Sequence, residues 1–251
     1  MAAPIALQLY TVRKVAEKDG YINTVKKVAA MGYAGVEPAG FPGSSVQEAA
    51  KAFKDLGLTV PSAHVPMPIG EKKNETIDIM KALGSKRAIS GLGPNEFATI
   101  DLVKQACAKF NEAYENAKAA GLEFGIHNHW WEFQQVEGKM VYKMMLEQLN
   151  PGIFFEIDTY WVKTGGCDPA AVVAEMGKRA PLLHIKDGPA QQKVPQTAVG
   201  EGVLDFPAIV KAAGKNVEWL VVELDDCATD MLEAVDKSIK FLTQRGLGHG
   251  K

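Results

Sequence analysis

The chain has 251 residues, of which 23% are charged, and its formal net charge is −2. This near balance supplies neither the basic field that nucleic-acid binding needs nor an acidic tail. No apolar run approaches the roughly 20 residues that cross a bilayer. The three cysteines, Cys107, Cys167 and Cys227, are isolated from one another, so neither a disulfide framework nor a structural zinc site is expected.

The first residues run straight into a strand-like segment, without the charged and long apolar regions of a signal peptide. This start predicts a cytoplasmic protein, and an exported form that has lost a leader stays open as an alternative. A homo-oligomer is compatible with the sequence.

Eight short apolar runs alternate with longer amphipathic stretches along the chain. Each run has the bulky composition of a buried parallel strand, and each separation is long enough for a crossover helix. The predicted strands are Ile5 to Leu9, Gly35 to Glu37, Leu58 to His64, Arg87 to Ser90, Leu122 to His127, Ile153 to Asp158, Leu182 to Ile185 and Leu220 to Leu224.

The stretches between the runs have helical periodicity. The clearest is the last, where apolar residues from Leu232 to Leu242 step by three and four. Thr229 is predicted to cap this helix, and Gly246 to end it. Eight strand–helix units favour a single (β/α)8 TIM barrel, formed by one domain over residues 1–251. An open dinucleotide-binding sheet is disfavoured, because no glycine-rich turn follows the first strand.

Acid and imidazole side chains stand at the ends of the four late runs. Because the carboxyl ends of barrel strands meet at one mouth, these residues are expected to lie close together. Asp158, His184 and Glu223 are predicted to bind one divalent metal ion with either His127 or His129. Mixed oxygen and nitrogen ligation of this kind suits Mn²⁺, Mg²⁺, Co²⁺ or Zn²⁺.

Further polar residues near the strand ends complete the candidate site. Those predicted to move protons or to stabilise charge are Glu223, His64, Lys186, Glu37 and Glu156. Those predicted to contact a substrate are Gln8, Tyr10, His129, Trp130 and Glu201. A buried pair with a lysine such as Lys186 is the structural alternative for Glu156. The polar loop from Gly188 to Gly202 is a candidate lid, and Asp225 and Asp226 are expected to be solvated or to cap the next helix.

These motifs together resemble the sugar phosphate isomerase/epimerase superfamily of xylose isomerase-like barrels. The segments that carry the resemblance are Gln8-Leu-Tyr10-Thr-Val-Arg13, Gly-Val-Glu37, His127-Asn-His129-Trp-Trp-Glu132-Phe, Asp158-Thr-Tyr-Trp161, His184-Ile-Lys186-Asp187, Gly200-Glu201-Gly202 and Val-Glu223. The resemblance implies one metal held by a Glu, an Asp, a His and a second Glu. Asp158, His184 and Glu223 match the last three, and His127 stands at the first Glu position.

The resemblance implies a sugar or keto-sugar substrate and proton removal next to a carbonyl, through an enediolate. Isomerisation or epimerisation is the expected outcome. Because His127 replaces one of the paired glutamates of the epimerases, a metal-dependent lyase or dehydratase on a keto-sugar or keto-glycoside is the alternative. A non-catalytic sugar-binding barrel and an endonuclease IV-like enzyme are less favoured, and no nucleic-acid or membrane partner is expected.

Overall fold

Eight parallel strands form a barrel whose order follows the chain. The computed structural model describes residues 2–251. Its barrel strands are β1 (Ala3–Gln8), β2 (Gly35–Glu37), β3 (Ala63–His64), β4 (Arg87–Ser90), β5 (Glu123–His127), β6 (Phe154–Asp158), β7 (Leu182–Ile185) and β8 (Trp219–Val222). Strand β8 pairs with β1 in parallel. Two parallel bridges, Gly35 with Thr59 and Ala39 with His64, join β2 to the β3 segment. The predicted (β/α)8 barrel is confirmed.

Helices connect the strands on the outside of the barrel. They are α1 (Arg13–Asp19), α2 (Tyr21–Ala30), α3 (Val46–Asp55), α4 (Lys72–Leu83), α5 (Ile100–Ala119), α6 (Val141–Gln148), α7 (Thr159–Thr164), α8 (Pro169–Met176), α9 (Phe206–Ala213) and α10 (Met231–Gln244). A small antiparallel hairpin pairs Gln135–Val136 with Lys139–Met140. A short strand, Gly248–His249, extends the sheet beside the start of β1.

Two sequence predictions about element ends need correction. Of the run from Leu58 to His64, only Ala63–His64 is a regular strand, because Pro61 has no N–H to donate to a ladder. The predicted cap Thr229 is wrong: the Asp230 carboxylate accepts the N–H of Glu233 at 2.9 Å, one residue later. Gly246 follows α10 with φ of 68°, as predicted. The other predicted strands agree with the observed ones to within two residues.

The barrel interior has an apolar layer at its amino-terminal side. Ile89, Phe154 and Leu182 are buried together, with Trp219 packed against them. Two glycines make room for the rings. A Cβ atom on Gly125 would lie 2.2 Å from the Phe154 ring, and one on Gly35 would lie 2.9 Å from the Trp219 ring.

On β6 and β7 the next inward-facing positions are polar. Side chains two residues apart on a strand share a face, so Glu156 follows Phe154 and His184 follows Leu182. The register sets Gln8 beside Glu37, and it pairs β5 with β6 through His127 and Glu156. Asp158 pairs with His184 in the same way. The polar residues at the strand ends therefore share the carboxyl end of the barrel.

Candidate active site

Four side chains at the carboxyl ends of four consecutive strands form the centre of the site. His127, Asp158, His184 and Glu223, the ligand quartet, each offer one ligand atom, and these atoms all lie within 4.8 Å of one another. His184 Nδ1 is 2.7 Å from Glu223 Oε2, and His127 Nε2 is 3.9 Å from Asp158 Oδ2. Ligand atoms at about 2.2 Å from a tetrahedral zinc ion are about 3.6 Å apart. The quartet therefore needs only small side-chain movements to fit a divalent cation.

Lys186 lies beside the quartet and is buried. Its Nζ atom is 2.9 Å from Asp158 Oδ2, 2.8 Å from Glu223 Oε2 and 2.7 Å from Asp225 Oδ2. Burial alone would lower the pKa of Lys186, but these three carboxylates raise it well above its ordinary value. The ammonium group therefore stays charged and neutralises part of the acidic cluster. Asp225 was expected to be solvated or to cap a helix. Its side chain is 39% exposed, and it pairs with Lys186 rather than with a helix end.

Glu37 and Glu156 lie deeper in the barrel, and both are buried. Glu156 Oε2 contacts three imidazoles: His64 at 2.7 Å, His127 at 3.2 Å and His184 at 3.0 Å. Gln8 donates from Nε2 to Glu37 Oε1 at 2.9 Å, and the Ser62 hydroxyl donates to the other oxygen. This pair of glutamates supports the site from below, and the suggested Glu156–Lys186 pair does not form.

The pKa values of the two glutamates are shifted in opposite directions although the residues are neighbours. Burial, with the nearby Glu156, raises the pKa of Glu37 to about 7. Burial acts on Glu156 as well, but the imidazoles of His184 and His64 outweigh it and hold its pKa well below the ordinary value. One carboxylate of the pair is thus charged and the other is held closer to neutral.

The ligand carboxylates also differ from each other. Burial raises the pKa of Asp158 to about 6, against the opposing effect of Lys186. Burial also acts on Glu223, yet Lys186 and His184 hold its pKa well below the ordinary value. Burial lowers the pKa of His127 well below that of a free imidazole. A neutral imidazole and an ionised carboxylate are the forms that bind metal ions.

A cavity of about 420 Å³ opens above the quartet. His127 and Glu223 face it, and His64, with a side chain 23% exposed, forms part of its wall. The remaining lining residues are Tyr10, Ala39, Gly91, Leu92, Gly93, His129, Trp131 and Asp225. The cavity is large enough for a small sugar, and it presents imidazole, carboxylate and aromatic groups to it.

The two histidines that follow β5 have different surroundings. His127 belongs to the quartet, whereas His129 stacks on Trp131, with ring centroids 4.2 Å apart and planes at 11°. Burial lowers the pKa of His129 to about 4. Its Nδ1 atom has no hydrogen-bond partner within residues 2–251. His129 and Trp131 together form a flat wall of the cavity, of a kind that suits stacking on a sugar ring.

The residues predicted to contact a substrate divide into two groups. Tyr10 and His129 line the cavity. Gln8 is buried under it, bonded to Glu37. Trp130 packs its ring on Trp131, at 5.3 Å between centroids, outside the cavity lining. Glu201 is exposed and lies 3.4 Å from Lys237 of α10, away from the other predicted residues.

The loop that follows β7 is anchored by Asp187. This buried carboxylate accepts the backbone N–H groups of Gly188, Gly200 and Gly202 at 2.9–3.0 Å. Gln196 ties the loop to the site as well, since it donates to Asp225 Oδ2 at 3.1 Å and accepts the Asp225 N–H at 2.8 Å. The segment suggested as a lid is thus held at both ends, and it has two continuous exposed stretches, residues 191–195 and 200–202.

Sequence reasoning missed three features of the site. Trp131 lines the cavity in place of Trp130, because the chain turns into a 3₁₀ helix at Trp131–Phe133 and strand alternation no longer applies. Asp225 was set aside as a loop residue. The segment Gly91 to Gly93 carries no charged group to draw attention to it, although two glycines directly after a predicted strand do mark a place of close approach.

Comparisons with known proteins agree with this architecture. Residues 25–245 match the family model described as xylose isomerase-like TIM barrel. Two solved structures from Parabacteroides distasonis ATCC 8503, both titled sugar phosphate isomerase/epimerase, are similar over 96% of this chain. One has 26% identity, 98% coverage of its own chain and a TM-score of 0.84, and the other has 25%, 94% and 0.79.

An L-ribulose 3-epimerase structure shares the fold at 18% identity, with a TM-score of 0.72 over 98% of this chain and 94% of its own. A comparison with curated proteins gave no match. Among the described residues, no helix combines the length and apolar character needed to cross a membrane. The family match spans most of the chain and agrees with the observed barrel. This chain therefore belongs to the xylose isomerase-like TIM barrel family.

Proposed function

We propose that this protein is a metal-dependent isomerase or epimerase of a small sugar or keto-sugar, which removes a proton from the carbon next to a carbonyl. One observation carries the proposal: the ligand quartet converges within 4.8 Å at the base of a cavity of about 420 Å³. The same cavity holds an imidazole, His64, outside the quartet.

The residues present fit one divalent cation. Two imidazoles and two carboxylates are a donor set that suits zinc, manganese or cobalt, and the negative charge of the site supports the fit. Lys186 already offsets part of that charge, and Asp225 gives its ammonium group a partner outside the quartet. When bound, such a cation polarises a substrate carbonyl and lowers the cost of the enediolate.

His64 is the side chain best placed to carry the proton. It lines the cavity, and its Nε2 atom contacts Glu156 Oε2 at 2.7 Å, which leaves Nδ1 as the second ring nitrogen. Glu223 also faces the cavity, but Lys186 and His184 keep it ionised, which makes it a weak base. Lys186, Glu37 and Glu156 are buried, so they act through their neighbours rather than on the substrate.

A lyase acting on a keto-sugar or keto-glycoside is the second candidate, and one observation favours it. The ionisable groups that line the cavity are chemically unlike one another: imidazoles on the β3 and β5 sides, and the carboxylates of Glu223 and Asp225 on the β8 side. Such an asymmetric set suits β-elimination, in which one group removes the α-proton and another protonates the leaving oxygen. A symmetric two-glutamate epimerase would need a carboxylate where His127 stands.

Incubation of the metal-loaded protein with a panel of keto-sugars in deuterated water tests the proposal. An isomerase or epimerase incorporates deuterium at one carbon and gives a product of unchanged formula, both visible by NMR. A lyase gives an α,β-unsaturated ketone, detected by ultraviolet absorption, together with released water or alcohol. The same protein stripped by a chelator is the control. Bound metal without exchange or elimination on any sugar would contradict the proposal and favour a non-catalytic barrel.

A further inference from the structure

Glu156 lies among three imidazoles in the barrel interior. Its Oε2 atom lies 2.7 Å from His64 Nε2, 3.2 Å from His127 Nδ1 and 3.0 Å from His184 Nε2. The residue comes from β6, two positions before Asp158, so both side chains project from the same face of the strand. Glu156 is fully buried, and the three imidazoles converge on it from β3, β5 and β7.

Counting donors and acceptors fixes the direction of these bonds. A neutral imidazole has one N–H and one bare nitrogen, and an ionised carboxylate only accepts. A proton on Oε2 could serve one of the three nitrogens, and the others would then have to donate to an already protonated oxygen. The arrangement that satisfies most groups therefore has an N–H of each ring pointing at Glu156.

This direction leaves the opposite nitrogen of His127 and of His64 bare. For His127 that atom is Nε2, which faces Asp158 Oδ2 at 3.9 Å. His184 differs, because its Nδ1 atom donates to the ionised Glu223 Oε2 at 2.7 Å, so this ring carries both protons. A cation in the quartet would take the place of the proton on His184 Nδ1. For His64, which lines the cavity, the bare atom is Nδ1, and a bare nitrogen is what a proton acceptor requires.

We infer that Glu156 is a positioning residue for three imidazoles. It sets the tautomers of His127, for metal binding, and of His64, for proton transfer, and it holds the Nε2–H group of His184 together with Glu37, whose Oε1 atom is 2.9 Å from that nitrogen. Outer carboxylates that orient single metal-binding histidines are common, and here one carboxylate contacts three rings. The inference rests on the proposed function, because it assigns the bare nitrogens to a metal and to a substrate proton.

A second arrangement of the same residues has to be distinguished from this one. His64, His127, Glu156 and His184 also offer atoms within 4.8 Å of one another, as a separate metal site would. His127 and His184 would then have to turn their other nitrogens to the metal. That group holds one carboxylate, whereas the quartet holds two, so a cation is better neutralised in the quartet. Glu156 therefore acts as an anchor, and the protein binds one cation.

Imidazole nitrogen chemical shifts test the inference on the unaltered protein. Long-range ¹H–¹⁵N spectra, recorded above neutral pH with and without Zn²⁺, show which nitrogen of each ring carries the proton. We expect His127 to be protonated at Nδ1 and His64 at Nε2 in both states. With zinc bound, His184 should coordinate through Nδ1 and keep its proton on Nε2. The reverse tautomer at His127 or His64, or two bound zinc ions per chain, would overturn the inference.

Zinc affinity measured by calorimetry gives the second readout. Glu156→Gln should weaken zinc binding by about 10–100-fold, the usual effect of losing an orienting partner, and should let the His64 tautomers mix. Glu156→Asp, which keeps a carboxylate, should recover part of the affinity. Glu132→Gln is the matched control, because Glu132 is equally buried but contacts the His129 backbone N–H and none of the quartet. Equal losses in the Glu156→Gln and Glu132→Gln variants would contradict the assignment.

These readouts separate the two proposals. If the wild-type protein binds none of Zn²⁺, Mn²⁺ and Co²⁺, the proposed function fails, while the His127 and His64 tautomers in the metal-free protein still decide the role of Glu156. If zinc binds in the quartet but Glu156→Gln leaves both the affinity and the His64 tautomer unchanged, the positioning role is wrong and the proposed function stands.

Discussion

Two layers of the barrel interior differ completely in chemistry although the same strands build them. The layer at the amino-terminal side holds Ile89, Phe154 and Leu182. The next layer along the strands holds Glu156 and His184, two residues further on. Two residues of a strand span about 6.6 Å. Over that distance the interior changes from an apolar cluster to a network of buried charges.

The two layers are stabilised in different ways. The apolar layer depends on shape, since Gly125 has no side chain where the Phe154 ring lies. The polar layer depends on pairing: Glu156 contacts three imidazoles, and Lys186 contacts three carboxylates. A buried charge is tolerated only when it is paired and hydrogen-bonded. The apolar layer thus serves as a rigid floor on which the polar layer can be held in register.

The largest effect is expected from a change at the cavity wall of the polar layer. His64→Gln removes the proposed proton carrier and leaves the quartet intact. Its turnover with the substrate found by deuterium exchange should fall by about 10²–10⁴-fold, the range of general acid–base catalysis, while zinc affinity changes little. Steady-state kinetics and calorimetry on the same preparation check this.

The exposed His249, whose side chain contacts a neighbouring backbone carbonyl, supplies the control for this prediction. His249→Gln should keep full turnover. A His64→Gln variant with near-normal turnover would remove His64 from the reaction. Loss of zinc affinity together with turnover would instead place His64 among the metal ligands. The cavity wall and the quartet would then not be separate groups.

The sequence alone predicted the barrel and the residues of the quartet, because both depend on short-range patterns. Apolar runs separated by helical periodicity specify the strands, and the ends of parallel strands meet at one mouth. Asp158, His184 and Glu223 stand at such ends, and the structure brings them together with His127. The sequence left His127 and His129 as alternatives, and the His129–Trp131 stack separates them.

The remaining features of the site depend on tertiary contacts that have no local sequence pattern. The role of Asp187 as an anchor for a loop up to 17 residues away appears only when the chain has folded. Asp225 looks like an ordinary loop acid until Lys186 and Gln196 are seen to hold it. Glu201 follows a predicted motif but points to Lys237 on the surface. Loop residues lack the period-two rule that made the strand residues predictable.

A smaller effect is expected from a change in the apolar floor. Gly125→Ala places a methyl group within 2.7 Å of three Phe154 ring atoms, and overpacking of this kind costs about 1–3 kcal/mol. Urea unfolding should show this loss, while zinc affinity and turnover of the folded protein stay near normal. Gly121→Ala tests backbone strain without overpacking, because a Cβ atom there would meet no neighbour within 4 Å but the residue has φ of 75°. A large loss of zinc affinity in Gly125→Ala would show that the two layers are coupled.

A pH-dependent effect comes from a buried acid that lies outside both layers. Burial raises the pKa of Glu132 from 4.5 to about 8, and its Oε1 atom has no hydrogen-bond partner among residues 2–251. Glu156 is equally buried, but its imidazole neighbours move its pKa in the opposite direction. Pairing, rather than depth, therefore decides whether an acid in this barrel is charged.

The folded protein keeps a proton on Glu132 that the unfolded chain loses above its ordinary pKa. This contribution to stability is complete below pH 4.5 and is lost as the pH rises towards about 8. Within that window the free energy of unfolding changes by about −1.4 kcal/mol per pH unit. Gln at this position still accepts the His129 N–H and has no proton to lose. The free energy of unfolding of Glu132→Gln should therefore rise relative to that of the wild type as the pH rises. Urea unfolding of both proteins at several pH values between 5 and 8 measures the difference, and a constant difference would mean that Glu132 is ionised in the folded protein.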